Sequence, residues 1–344
     1  MKKSDLTYSY PAHLVATEPR FPSRILRVPQ NDYPREITRQ ELFDEISAGD
    51  VLVINRSRVL PRRLFSSEGI EILFIKPINQ DRTHWEVLFP AAKSDIGDLF
   101  ELPSNLRGRL HSKGMPQILE MSAPLEEDYF RKHGELPLPP YILRMRGERH
   151  ALPEDIRWYQ PDWAQIDGSL ASPTASLHFR QSDLDTLQAK GVIVAPLILH
   201  VGLGTFLPIK TDDLDQHQMH EEYVEIPYQT WEKIEKAKHA KKSVWALGTT
   251  VTRALESVPL GELDQTPGGW VGWTKLFIRP GFRFQIVNRL LTNFHQPEST
   301  LLALVAALQG VERMKQAYQL AIELQFRLFS YGDLSVWDVH STHG

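Results

Sequence analysis

The chain of 344 residues contains no cysteine. That absence excludes disulfides, thiolate nucleophiles and thiolate metal sites, and it fits a reducing compartment, so a cytoplasmic location is expected. Long hydrophobic runs are also missing. The longest, VIVAPLIL and LLALVAAL, fall far short of the ~20 residues of a membrane span. The start MKKSDLTYSYPAH has no apolar signal-peptide core, so no membrane attachment is expected. Phosphate-binding fingerprints are absent as well. No Gly-Lys-Ser/Thr loop occurs, and in HVGLGTF the glycines Gly202 and Gly204 lack the third glycine of a dinucleotide site. The net charge of −4 excludes a uniformly basic nucleic-acid coat. Local patches remain, in NRSRVLPRRL, RGRLHSK and RMRGERH. Each is more often a solvated face, and only convergence in space would make one a phosphate site.

What is present is ordinary for a folded protein: 42% hydrophobic and 24% charged residues, with length for two domains. Short strand-like runs, GIEILFIK, HWEVLF, GDLFEL, GRLHS and PQILEM, are separated by turn residues and suggest a small antiparallel barrel. After about Asp155 strand-like and helical segments alternate, which implies an α/β unit with a mostly parallel sheet covered by helices. RQELFDEISAGD and VLVIN read as a helix and a buried strand of that same unit. The expected organisation is a discontinuous α/β catalytic domain, residues 1–62 and 150–344, interrupted by an inserted β-barrel domain, residues 63–149.

Open parallel sheets bind ligands beyond the carboxyl ends of their strands. Three such ends, HVGLGTF, GTT and TNFHQPEST, combine small residues with hydroxyl, amide or imidazole groups. In LTNFHQPESTLLALVAALQG a helix is expected to start near Pro297, with Ser299 and Thr300 serving its first N–H groups and Gly310 stopping it. Its amino end, with Asn293 and His295 in front, suits an anionic group. His217 and His220 with Glu221 and Glu222 invite a zinc reading but lack a third ligand at a recognised spacing, so no metal is expected.

GSLASPTASLHF, LHVGLGTFLPIK, HQMHEE, LGTTVTRALES, LFIRPGF, LTNFHQPESTLLALV and FSYGD resemble, in order, the S-adenosylmethionine:tRNA ribosyltransferase-isomerases of queuosine biosynthesis. YSYPAHLVATEP, SRILRV, GDVLVIN, RVLPRRL, WEVLFP and LPLPPYILR extend the resemblance over nearly the whole chain. It implies an α/β domain with an inserted β-barrel, S-adenosylmethionine as ribosyl-donating co-substrate, no metal, tRNA as the macromolecular substrate and no protein partner. The implied reaction moves the ribosyl group onto a 7-aminomethyl-7-deazaguanine at the tRNA wobble position and isomerises it to an epoxycyclopentane, with adenine and methionine leaving.

On that resemblance, proton transfer is expected of His295 first, then His200, His178 and His220. Arg253 or a helix amino end would hold the methionine carboxylate or a tRNA phosphate, and Asp333 or Glu256 would favour the sulfonium. Thr205, Thr249, Thr250, Asn293, Ser299, Thr300 and Tyr331 complete the expected substrate contacts, and Phe179, Phe206, Phe294 and Tyr331 are candidates to stack on a base. Arg58 and Arg63 are the expected tRNA contacts. Phe21, Arg56 and Asn288 stand where the family pattern carries acidic residues, which keeps open a divergent binder of tRNA or a nucleoside that does not catalyse the rearrangement. A hydrolase using His295 and Ser299 is the third reading; it lacks a Gly-x-Ser-x-Gly elbow.

Overall fold

The computed structural model describes residues 1–202, 204, 209 and 211–339. Its centre is the strand Val51–Asn55, buried at every position. A strand with helices on both sides has no wet face, so its sequence, VLVIN, is continuously apolar up to the terminal Asn55. Alternate side chains serve opposite layers. Val51 and Val53 join the core beneath the helices Tyr228–His239, Thr249–Ser257 and Thr300–Gln309, whereas Leu52 and Ile54 join the core under Arg39–Glu45 and Gln181–Ala189. Val244 and Ala246 against Trp245 and Leu247 repeat the division one strand over.

The strands lie in the order Asp264–Thr266, Gly269–Thr274, Glu222–Pro227, Ile193–Leu199, Val51–Asn55, Val244–Leu247, Arg289–Asn293, Leu334–Asp338, Ile25–Val28 and Arg35–Ile37. Pairing is parallel from Ile193–Leu199 through Arg289–Asn293 and between Leu334–Asp338 and Ile25–Val28; every other neighbour is antiparallel. The sheet is therefore mixed, and the expectation of a mostly parallel sheet holds only for its middle. The reason lies in the connections. A parallel step needs a crossover, whereas the two residues Pro267 and Gly268 between Asp264–Thr266 and Gly269–Thr274 make a short reversal that forces antiparallel pairing.

A second sheet of six strands runs Arg63–Phe65, Glu71–Pro77, His84–Leu88, Gln117–Met121, Leu106–Ser112, Leu99–Leu102, antiparallel throughout. Its edges nearly close, since Ser67 N–H donates to the Glu101 carbonyl at 2.8 Å. Phe74 and Trp85 meet Phe130 of the helix Glu127–His133 in its core, with ring centroids 5.3 and 5.2 Å away.

One local expectation shifts. The helix after TNFHQPEST starts at Thr300 rather than near Pro297, because Ser299 Oγ accepts from Leu302 N–H at 3.1 Å and Glu298 takes a left-handed φ of 56° that no helix accommodates. LFIRPGF forms no strand. Its Leu276 carbonyl instead accepts from Arg253 Nε at 2.9 Å.

Candidate active site

A cavity of about 370 Å³ opens at the carboxyl ends of the parallel strands. All three segments singled out at strand ends contribute to it: Val201 and Gly204 after Leu199, Gly248 to Thr250 after Leu247, and Thr292 to Thr300. Gly248 sits at φ 104°, a backbone region open to glycine, and this reverses the chain from strand into the helix Thr249–Ser257. Among the described residues no side chain caps that helix. Its first N–H groups therefore lie at the cavity wall with a partial positive charge.

Arg253, one turn further along, is 5% exposed. One Nη donates to the buried Glu222 carboxylate, whose other oxygen accepts from Gly202 N–H at 3.0 Å. The remaining Nη of Arg253 has no partner among the described residues, and neither have Ser172 Oγ and Thr250 Oγ1. All three residues line the cavity. Buried polar atoms are normally paired, so this corner is built for a ligand rich in hydrogen-bond acceptors, and the guanidinium favours an anionic one.

Asn293 organises the opposite wall. Its Nδ2 donates to the carbonyls of Phe329 and Ser330 at 3.0 and 3.2 Å and to His178 Nε2 at 3.0 Å, and its Oδ1 accepts from Thr174 Oγ1 at 2.9 Å. His178 is buried behind it, with Nδ1 2.6 Å from Ser23 Oγ, and burial, aided by the nearby Arg39 charge, pushes its pKa down to about 3. It is a neutral wedge behind the wall. His295 lines the cavity, with Nε2 2.9 Å from Thr292 Oγ1, and burial likewise lowers it to about 3. Its backbone is clamped by Tyr318 and Tyr8 hydroxyls, at 2.9 and 2.5 Å. His220 lines the cavity from an exposed position.

Other expected residues stand elsewhere. His200 is not in the cavity; Ser57 Oγ lies 2.7 Å from its Nδ1, and a Cβ on Gly168 would come within 2.5 Å of its ring. Asp333 is 1% exposed and ties Arg20, Arg24 N–H and Arg327 N–H, so it faces none of the cavity space. Glu256 accepts from the N–H groups of Gln285, Ile286 and Val287 at 2.8 to 3.0 Å and anchors that loop. Tyr331 donates to Asp155 at 2.7 Å, behind Tyr159. Ser299 Oγ is committed to the helix cap and to the Gln296 carbonyl, which removes it as a nucleophile for a hydrolase. Arg63 is 1% exposed, with its guanidinium held by Glu71 and Glu135, so it presents no charge to RNA. Arg58 is half exposed and donates to the Ala164 carbonyl at 2.8 Å.

Thr249, Thr250, Arg253, Asn293, Ser299, Thr300 and Phe294 reach the cavity, whereas Phe179 belongs to a core. Thr205 and Phe206 lie outside the described residues. Sequence reasoning missed Tyr141, Arg144 and Tyr159, which line the cavity from the segments returning from the barrel. LPLPPYILR, which contains Tyr141 and Arg144, was the available signal. Among the described residues His84, His111 and Glu120 are the one group of three potential metal ligands, and none of them lines the cavity.

The family model described as queuosine biosynthesis protein matches residues 3–336. The chain is 40% identical to the S-adenosylmethionine:tRNA ribosyltransferase-isomerase of Syntrophotalea carbinolica, covering 97% of this chain and 98% of that one. It is 41% identical to the protein of the same name from Carboxydothermus hydrogenoformans, again over 97% and 98%. The crystal structure of a Thermotoga maritima S-adenosylmethionine tRNA ribosyltransferase is similar with a TM-score of 0.54 at 28% identity, over 96% of this chain and 99% of that one.

Proposed function

The chain belongs to the queuosine biosynthesis protein family, and on that premise we propose that it is an S-adenosylmethionine:tRNA ribosyltransferase-isomerase. It transfers the ribosyl group of S-adenosylmethionine to 7-aminomethyl-7-deazaguanine at the tRNA wobble position, and forms epoxyqueuosine as adenine and methionine leave. The observation that carries the reading is the corner where Arg253, Ser172 and Thr250 leave buried polar atoms unpaired beside an uncapped helix amino end. A methionine carboxylate is the kind of acceptor-rich anion that such donors hold. The cavity, at about 370 Å³, falls within the ~300–1,000 Å³ range of small-molecule sites.

In this reading Asn293 holds the wall and Phe294 supplies its apolar floor. His295, neutral at pH 7, accepts a hydrogen bond from substrate, and the exposed His220 exchanges the reaction's proton with solvent. Arg144, exposed at the cavity edge, is the cation placed for a phosphate of the target nucleotide. Residues 1–62 and 150–344 form the catalytic unit and 63–149 the insertion. Val51–Asn55 pairing with Ile193–Leu199 and Val244–Leu247 across the insertion supports this, as does the separate core around Phe74 and Trp85.

None of Phe21, Arg56 and Asn288, which stand in place of acidic residues, lines the cavity. Phe21 lies under Arg39 and Arg180, 5.0 and 4.8 Å from the guanidinium carbons, and Asn288 Oδ1 accepts from Val244 N–H at 2.8 Å as a carboxylate would. They therefore give no ground for preferring a non-catalytic binder. The test incubates the protein with S-adenosylmethionine and tRNA bearing the aminomethyl-deazaguanine, and analyses digested nucleosides by mass spectrometry. Epoxyqueuosine is expected, with adenine release that requires tRNA. Adenine release without tRNA, or no product beside an active homologue, would overturn the proposal.

A further inference from the structure

Outside the cavity, on the other side of the strand Glu222–Pro227, three rings form a ladder. Side chains alternate along that strand, so Glu222 turns to Arg253 while Tyr223 turns away. Tyr223 stands directly opposite Trp273 of the neighbouring strand, with ring centroids 5.5 Å apart, and His200 stacks on Tyr223 at 5.9 Å and 19°. Tryptophan is normally well buried, yet Trp273 is 56% exposed. The ladder is rigid: Ser57 and Gly168 fix His200, and the sheet fixes the other two.

Cations surround it. Asp167, whose charge reaches His200, lies between Arg58 and Arg131 at 3.9 and 3.4 Å, and Glu221, beside the ladder, pairs with Lys275 at 2.8 Å and feels Lys76 of the barrel. All four cations are about half exposed or more. Exposed ion pairs contribute little, so phosphates can replace the carboxylates as partners at small cost. His200 adjoins Val201, which lines the cavity, so the ladder borders the site.

We propose that His200, Tyr223 and Trp273 form a stacking platform for an unpaired nucleotide of the tRNA flanking the one being modified. The proposal rests on the tRNA reading above. Single-stranded RNA is held by bases stacked on exposed aromatic rings with basic groups on its backbone, and the ladder and its flanking cations supply both.

The test measures fluorescence anisotropy of a labelled anticodon-arm hairpin bearing the aminomethyl-deazaguanine, at fixed ionic strength. Trp273→Ala and Tyr223→Ala are expected to weaken binding about ten-fold, in the range of one lost base stack. Trp273→Phe should restore most of it, and Tyr33→Ala, another exposed aromatic, should change nothing. The KM for S-adenosylmethionine and the dependence of affinity on salt should stay as in the wild type, because no phosphate contact is removed. Trp273→Gln gives a second non-aromatic reading should the alanine variant unfold. Unchanged hairpin affinity in the Trp273 variants overturns the proposal. So does unchanged affinity with altered sedimentation, which would make the face a protein interface. Binding is read without turnover, so an inactive wild type would refute the reaction and leave this comparison intact.

Discussion

His178 and His295 are buried and neutral, each with its pKa pushed from 6.5 to about 3, mainly by burial. In the unfolded chain both regain ordinary values, so between those limits the unfolded state binds more protons than the native state. Stability then rises with pH, and it is lost as pH falls from about 6.5 towards 3. Per histidine the difference between pH 7 and pH 5 is 1.36 kcal/mol times the change in log[(1 + 10^(6.5−pH))/(1 + 10^(3−pH))], or about 2 kcal/mol. Together they give about 4 kcal/mol, a large share of the ~5–15 kcal/mol typical of a folded chain. His200 and His217, also lowered by burial, act in the same direction. The carboxylates lowered by their partners, Glu36 among them, act below the span from pH 7 to 5, and Glu256, raised by burial, acts against the histidines, so the difference between wild type and each variant carries the test. The assay is urea unfolding at pH 7.0, 6.0 and 5.0, with the wild type compared with His178→Gln and His295→Gln. Each variant should reduce the pH dependence by about 2 kcal/mol, whatever its stability at pH 7. Variants with the wild-type slope would mean that these imidazoles are hydrated or already charged, and the reading of His295 as a neutral acceptor would fall with it.

The other expectations concern the cavity and its frame. Arg253→Met should raise the KM for S-adenosylmethionine by at least ten-fold, and Glu222→Gln, which keeps an acceptor for Gly202 N–H but loses the charge on Arg253, should have a smaller effect in the same direction; equal KM values in steady-state kinetics would remove the carboxylate corner. Ser299→Ala should cost about 1 kcal/mol in urea unfolding through the lost cap while kcat stays near wild type, and a collapse of kcat would revive a nucleophilic role. Arg63→Ala should destabilise by about 2–3 kcal/mol, less than a fully buried pair because Glu71 and Glu135 can rehydrate. A larger loss of tRNA affinity than of stability would return Arg63 to the RNA surface.

Much of the architecture was legible in the chain itself. VLVIN announces a strand with no wet face, and the alternating runs from GIEILFIK to PQILEM announce an antiparallel sheet, because period and burial are local consequences of side-chain order. The strand-end loops were legible too, since small and hydroxylated residues before a helix are needed wherever a backbone approaches a ligand. The antiparallel strand EYVEIP was not, because a short strand of mixed polarity takes its direction from its neighbours, here Ile193–Leu199 and Gly269–Thr274.

The histidines mark the division between sequence and tertiary structure. Composition and motif order determined the family, the mixture of α/β sheet and barrel, and which residue types were available for proton transfer. Only the tertiary structure decided that His220 and His295 face the cavity, His178 lies behind it and His200 stands in an aromatic ladder. The same holds for Arg63, which reads as a free cation in RVLPRRL and is paired with residues 8 and 72 positions away. A charge or an imidazole acquires its role from burial and from partners remote in the chain, and those are properties of packing that no local pattern encodes.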